Sequence, residues 1–100
     1  MQTGTKWSCI EWKHVSIWVR QGDWDKISYM GAASGKTLSA WILERLMSYE
    51  GVPPLYVQNE EDIGKSRSLC FPKDKWEIIK ERANSCGMTF SQYVISVIFA

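Results

Sequence analysis

One hundred residues, 45% of them apolar and 23% charged, describe a single small folded domain or two very small units sharing one core. The composition is too apolar for a disordered chain, and the length excludes a large multidomain enzyme. The formal charge of +1 conceals a contrast: residues 50–62 hold four acids and no Lys or Arg, so the rest of the chain carries +5.

Residues 1–14 read as an N-terminal arm. The arm holds Trp7 and Trp12, and the sequence leaves open whether it packs as an extra strand. No basic stretch followed by an apolar run opens it, so no signal peptide is expected. The cysteines, Cys9, Cys70 and Cys86, are odd in number and lack C-x-x-C spacing. That pattern argues for reduced thiols in a cytoplasmic protein rather than a disulfide framework or a structural zinc site.

A strand follows the arm. Val15, Ile17 and Val19 alternate with His14, Ser16 and Trp18, the period of two that buries one face. The period then lengthens. Trp24, Ile27, Gly31 and Ser34 step by three or four along one helical face, with Asp25 and Lys26 elsewhere. Gly35 falls just past the last periodic residue, where helices commonly need a left-handed residue. Thr37 is a good N-cap for a second helix, whose apolar face runs through Trp41, Ile42 and Leu46. Residues 49–66 read as an acidic linker containing Gly51, Pro53, Pro54 and the run Asn59-Glu60-Glu61-Asp62.

Residues 67–100 then repeat residues 15–48. A shift of 52 aligns the two stretches without a gap, with identities at Ser16/Ser68, Trp24/Trp76, Ile27/Ile79, Gly35/Gly87, Thr37/Thr89 and Ser39/Ser91. Leu69 and Phe71 alternate with Ser66, Ser68 and Cys70. Arg67 breaks that apolar face at its outer end, where its stem can lie along the core and its head reach water. Pro72 suits the first turn of a helix marked by Trp76, Ile79, Ala83 and Cys86, with Glu77, Lys80, Glu81 and Arg82 on other faces. Thr89-Phe90-Ser91-Gln92 fits a capping box ahead of Tyr93, Val94, Val97 and Ile98. Arg45 stands where the second copy has Val97, and the repeat gives no reason for it beyond reach to the rim of the core.

Three other signals are weaker than they look. Residues 83–100 carry no charge, but seven polar residues and glycines interrupt them, so no apolar piece approaches the roughly 20 residues that span a bilayer. Gly31-Ala32-Ala33-Ser34-Gly35-Lys36-Thr37 is like a phosphate-binding loop, yet it has three residues between glycines where four are needed, and it follows a helical pattern. The repeat already accounts for Gly35 as a turn and Thr37 as a cap. His14 and Cys70 across a ribbon are too few for a metal site, and Asp23/Asp25 read as surface or caps. No catalytic residue, cofactor, metal or small-molecule substrate is expected.

One strand and two helices cannot close a core in about 35 residues, whereas two such units can. The expected fold is mostly α, with a two-stranded antiparallel ribbon and four helices intertwined beneath it, two β-α-α repeats forming an intramolecular pseudo-dimer. In this ribbon Ser16 faces Ser68, His14 faces Cys70 and Trp18 faces Ser66.

The alternating strand, the helix–Gly turn and the Thr-x-Ser helix start, present in both copies, resemble the ribbon-helix-helix family of DNA-binding proteins, of the Arc, MetJ and CopG type. The resemblance covers residues 15–48 and 67–100, and the chain is similar to the tandem, single-chain members found among conjugative-plasmid and archaeal-virus regulators. It implies double-stranded DNA as the partner, read in the major groove by the ribbon, in transcription regulation or as an accessory factor at a mobile element. By strand position, the implied base readers are His14, Ser16, Trp18, Ser66, Ser68 and Cys70. The implied phosphate contacts are the helix starts at Thr37 and Thr89, together with Lys13, Arg20, Lys36, Lys65, Arg67 and Lys73. A monomer is then already a pseudo-dimer, with dimers or cooperative assembly on DNA left open. The alternative is a protein-interaction module that docks through the aromatic-rich face.

Overall fold

The change from period two to helical spacing, twice over, is what the chain does in space. A computed structural model describes residues 11–100; Trp7, Cys9 and most of the N-terminal arm lie outside the described residues. The element order is β1 (Trp12–Arg20), α1 (Gln21–Ala33), α2 (Leu38–Ser48), β2 (Gly64–Pro72), α3 (Lys73–Ser85) and α4 (Phe90–Ile98). Both strands start two residues before the first residue that the alternation takes in, at Trp12 rather than His14 and at Gly64 rather than Ser66. Polar ends of a strand still pair, and a hydrophobic pattern does not register them.

β1 and β2 pair antiparallel, from Trp12↔Pro72 to Arg20↔Gly64, with Ser16↔Ser68 at the centre and His14↔Cys70 and Trp18↔Ser66 beside it. Val15, Ile17, Val19, Leu69 and Phe71 turn inward and are buried against Ile27, Ile42, Leu46, Ile79 and Ala83. At the middle lies α4, whose Tyr93–Ile98 run is buried all round. The uncharged C-terminal stretch is therefore a core helix, and among the described residues no helix is long and apolar enough to cross a membrane.

The turns are made by the residues the repeat conserves internally. Gly35 and Gly87 sit at φ +74° and +71°, conformations that cost an L residue with a Cβ roughly 1 kcal/mol or more. Thr37 accepts a hydrogen bond from the Ala40 N–H, and Thr89 with Gln92 forms a complete capping box. Pro72 closes β2 and stands as the N-cap of α3, one position ahead of the helix proper.

Residues 49–63 pack as an ordered strap. Pro53 is fully buried. Tyr56 stacks on Phe99 with ring centres 4.5 Å apart, donates its N–H to Ser96 Oγ and donates its hydroxyl to Asp23 Oδ1 at 2.8 Å. Burial, reinforced by the Asp23 carboxylate, pushes the Tyr56 phenol above its ordinary pKa of 10.0. Asp62 accepts the Gly22 N–H at 2.7 Å, capping α1 where Arg20 at the N-cap position has no acceptor to offer. The acidic run thus carries a structural load at one of its members.

Two arginines tie the units together. The Arg45 guanidinium donates to the Ile98 carbonyl at the end of α4, and Arg82 donates to the Leu46 carbonyl near the end of α2. Leu46 and Ile98 are equivalent positions in the repeat, so both second helices have a C-terminal carbonyl satisfied by an arginine of the other unit. This gives Arg45 the role that its sequence position does not reveal.

Candidate nucleic-acid interface

Alternation sends one side chain in two to the core, and the other half of the ribbon is left facing outward. His14, Ser16, Trp18, Ser66 and Ser68 are all exposed on this outer face, and Cys70 is half-buried there beside His14. The six predicted base readers are thus brought together on one surface. Trp12 and Arg20 at the ends of β1, and Gly64 and Pro72 at the ends of β2, complete it.

Trp18 is placed by a glycine. A Cβ built on Gly64 would lie 2.5–2.9 Å from three atoms of the Trp18 indole, so the ring lies against the Gly64 backbone with half its surface still exposed. Gly64 is half-buried under it. Trp12, 59% exposed, sits at the opposite end, at the rim of a groove of about 300 Å³ shared with Thr37, Ser39, Leu43 and Cys70.

The ribbon edges explain the Thr-x-Ser signature. The Trp18 N–H donates to Ser91 Oγ at 3.0 Å, and the Cys70 N–H donates to Ser39 Oγ at 3.2 Å. Trp18 and Cys70 are equivalent positions, as are Ser91 and Ser39, so the two bonds are copies of one interaction, each crossing from a strand to the second helix of the other unit. They satisfy edge N–H groups that a two-stranded sheet would otherwise present for pairing. They also fix the N-terminus of α2 beside β2 and that of α4 beside β1. The Arg20 N–H is met by Gln58 Oε1 of the strap at 2.7 Å, while its counterpart Pro72 has no N–H to satisfy.

Each second helix therefore opens next to the outer face, with Thr37 and Thr89 exposed. The two starts are not equal. At α4 the capping box uses the Thr89 and Gln92 N–H groups, leaving those of Phe90 and Ser91 for an anion. At α2 the residue three beyond the cap is Ala40, which cannot reach back, so the Thr37 N–H is also left for an anion.

The basic residues divide. Lys65 and Lys73 are exposed. Lys13 is exposed at the ribbon end, its Nζ 4.7 Å from the Trp76 ring centre, with Lys80 Nζ at 4.4 Å from the same ring. Lys36 is ion-paired with Glu44. Arg20 donates to the Asp62 carbonyl at 2.8 Å and so faces the strap. Arg67 lies on the helix side of the ribbon rather than the outer face. Its guanidinium sits 5.3 Å from the Trp24 ring centre and donates to Gln21 Oε1 at 2.7 Å, and its buried Nε has no partner. The head does not run out to water as the sequence suggested, because Trp24 and Gln21 hold it.

No family model, curated protein or solved structure matches this chain. The site is therefore read from its own chemistry. Among the described residues no cluster of three or more His, Cys, Asp or Glu side chains could hold a metal ion. A groove of about 570 Å³ lies between the strap and α3, away from the ribbon, and is lined by Tyr49, Glu50, Val52, Ile78, Arg82 and Tyr93 among others. Burial raises the Tyr93 phenol, with Arg82 pulling against it, and that arginine is committed to the α2 terminus.

Sequence reasoning missed two parts of this surface. Ser39 and Ser91 were visible as repeat identities but not as strand partners. Gly64 fell in the linker, so its contact with Trp18 had no signal.

Proposed function

We propose that this chain binds double-stranded DNA as a tandem ribbon-helix-helix protein, laying the outer face of the β1–β2 ribbon in the major groove and doing no chemistry of its own. One observation carries the reading. The ribbon is covered on one side by the whole core and uncovered on the other, and that uncovered face is flanked by two helix N-termini laced to its edges through Ser39 and Ser91. A two-stranded ribbon is one of the few elements that fits the major groove. The flanking amides suit phosphates. Ser16 and Ser68 at the centre can each donate to or accept from a base edge. Lys65 and Lys73 are exposed and available for backbone contacts, whereas Lys13 lies over Trp76 and Arg67, Arg20 and Lys36 are occupied within the protein. Because the two halves differ at two of the three reading positions, His14/Ser66 and Trp18/Cys70, the preferred site is asymmetric. A regulatory or mobile-element accessory role is consistent with this.

The test is fluorescence anisotropy with an unrelated duplex of about 30 base pairs at two salt concentrations. Several phosphate contacts predict affinity falling by an order of magnitude or more between about 50 and 200 mM salt. No binding at low salt rejects the proposal. A second reading has its own observation: Trp12 and Trp18 are 59% and 50% exposed on this face. A protein docked there would bind with little salt dependence and lose affinity in Trp18→Ala.

A further inference from the structure

The outer face carries one feature that its polar centre does not account for. Tryptophan at position 18 is large and apolar, yet it is half exposed and packed against Gly64. Its N–H end of the backbone is fixed by Ser91, and its indole rests on Gly64, the one residue whose missing side chain lets a ring lie against the ribbon. Half of the side chain remains exposed toward whatever the ribbon meets. The equivalent position in the second unit is Cys70, small and half-buried, so Trp18 has no counterpart beside the centre of the other half, where the exposed aromatic is Trp12 at the far end of β1.

Among the groups that base pairs present in the major groove, the 5-methyl of thymine is the apolar one; the rest are hydrogen-bond donors and acceptors. We propose that Trp18, packed against Gly64, is a specificity-determining residue that selects a thymine methyl in one half of the DNA site. This rests on the DNA reading above. The indole has no donor or acceptor on its face, so it rewards a methyl and rejects an unpaired exocyclic amine or carbonyl, whose hydration it would strip. Cys70 sets no such condition on the other half. The asymmetry of the recognised site then has a defined chemical origin.

The experiment begins by enriching a bound duplex from a random pool with the wild-type chain. Each thymine of that duplex is next replaced singly by deoxyuridine, which removes the methyl and leaves the base-pairing edge unchanged. The expected result is one thymine, off the centre of the site, whose replacement weakens binding about four-fold, the equivalent of one buried methyl group. Trp18→Ala should bind the thymine and deoxyuridine duplexes equally, while Trp12→Ala keeps the difference. If every deoxyuridine duplex binds as well as its parent, or if Trp18→Ala retains the penalty, the methyl-reading role is wrong while DNA binding stands. If no duplex is enriched, the DNA reading itself fails and this inference with it.

Discussion

Replacing Arg67 by methionine separates what the sequence suggested from what the structure shows. The sequence places Arg67 among phosphate contacts; the structure turns its guanidinium to Trp24 and Gln21 and leaves Nε buried without a partner. Arg67→Met keeps the length of the stem. It forfeits a cation–π contact of about 1 kcal/mol and a charge-assisted hydrogen bond of about 1.5 kcal/mol. Against that, it removes an orphaned buried donor that costs about 1–3 kcal/mol and gains a thioether–ring contact of about 0.5–1 kcal/mol. The two sides cancel, so urea unfolding should give a stability within about 1 kcal/mol of wild type. The salt slope of DNA binding should not change, because the side chain is not on the outer face. A destabilisation above about 2 kcal/mol would refute the energetic argument. A slope reduced by about 0.9, the signature of one lost phosphate contact, would place Arg67 at the DNA after all.

Further outcomes follow from the same geometry. Cysteines at Ser16 and Ser68, in a background lacking the native cysteines, should cross-link within one chain on mild oxidation, read as a mobility shift without a dimer band; cross-links solely between chains would mean a swapped assembly. Gly87→Ala meets no atom within 4 Å, so its cost is backbone strain alone, about 1 kcal/mol in chemical denaturation, and a neutral result would contradict the φ of +71°. Tyr56→Phe leaves buried Asp23 with neither oxygen partnered and should cost about 1–3 kcal/mol. Tyr56 has a raised pKa in the folded state, so its contribution is complete below pH 10 and is lost as pH climbs through the folded value. Alkaline unfolding should accordingly be shallower in Tyr56→Phe than in wild type, followed by circular dichroism from pH 9 to 12.

Much of the fold was legible because repetition doubles a weak signal. Gly35 and Gly87, Thr37 and Thr89, and the two alternating runs each make an ordinary pattern, but their recurrence at one spacing fixes turn, cap and strand together. The alternation also fixed which residues face outward, and with the repeat it fixed the register about Ser16 and Ser68. Strand ends were less legible, since Trp12–Lys13 and Gly64–Lys65 pair through backbone groups that side-chain patterns do not report.

What the sequence by itself determined is therefore local and periodic: β-α-α twice, an outward polar face, and helix starts capped by threonine. These follow from φ/ψ preferences, side-chain periodicity and short-range hydrogen bonds, all of which act over a few residues. Tertiary structure alone decided the partners of long or versatile side chains. Arg45 reaches the end of α4, Arg67 folds back on Trp24, Asp62 caps α1 and Ser39 and Ser91 hold strand edges. Each of these groups can satisfy its hydrogen bonds in many ways, and which one it takes depends on what other parts of the chain bring within about 3 Å. Trp18 is the same case for the site. Its type announced an aromatic on the outer face, and only the bare backbone of Gly64, 46 residues away, gave its indole the room to pack there.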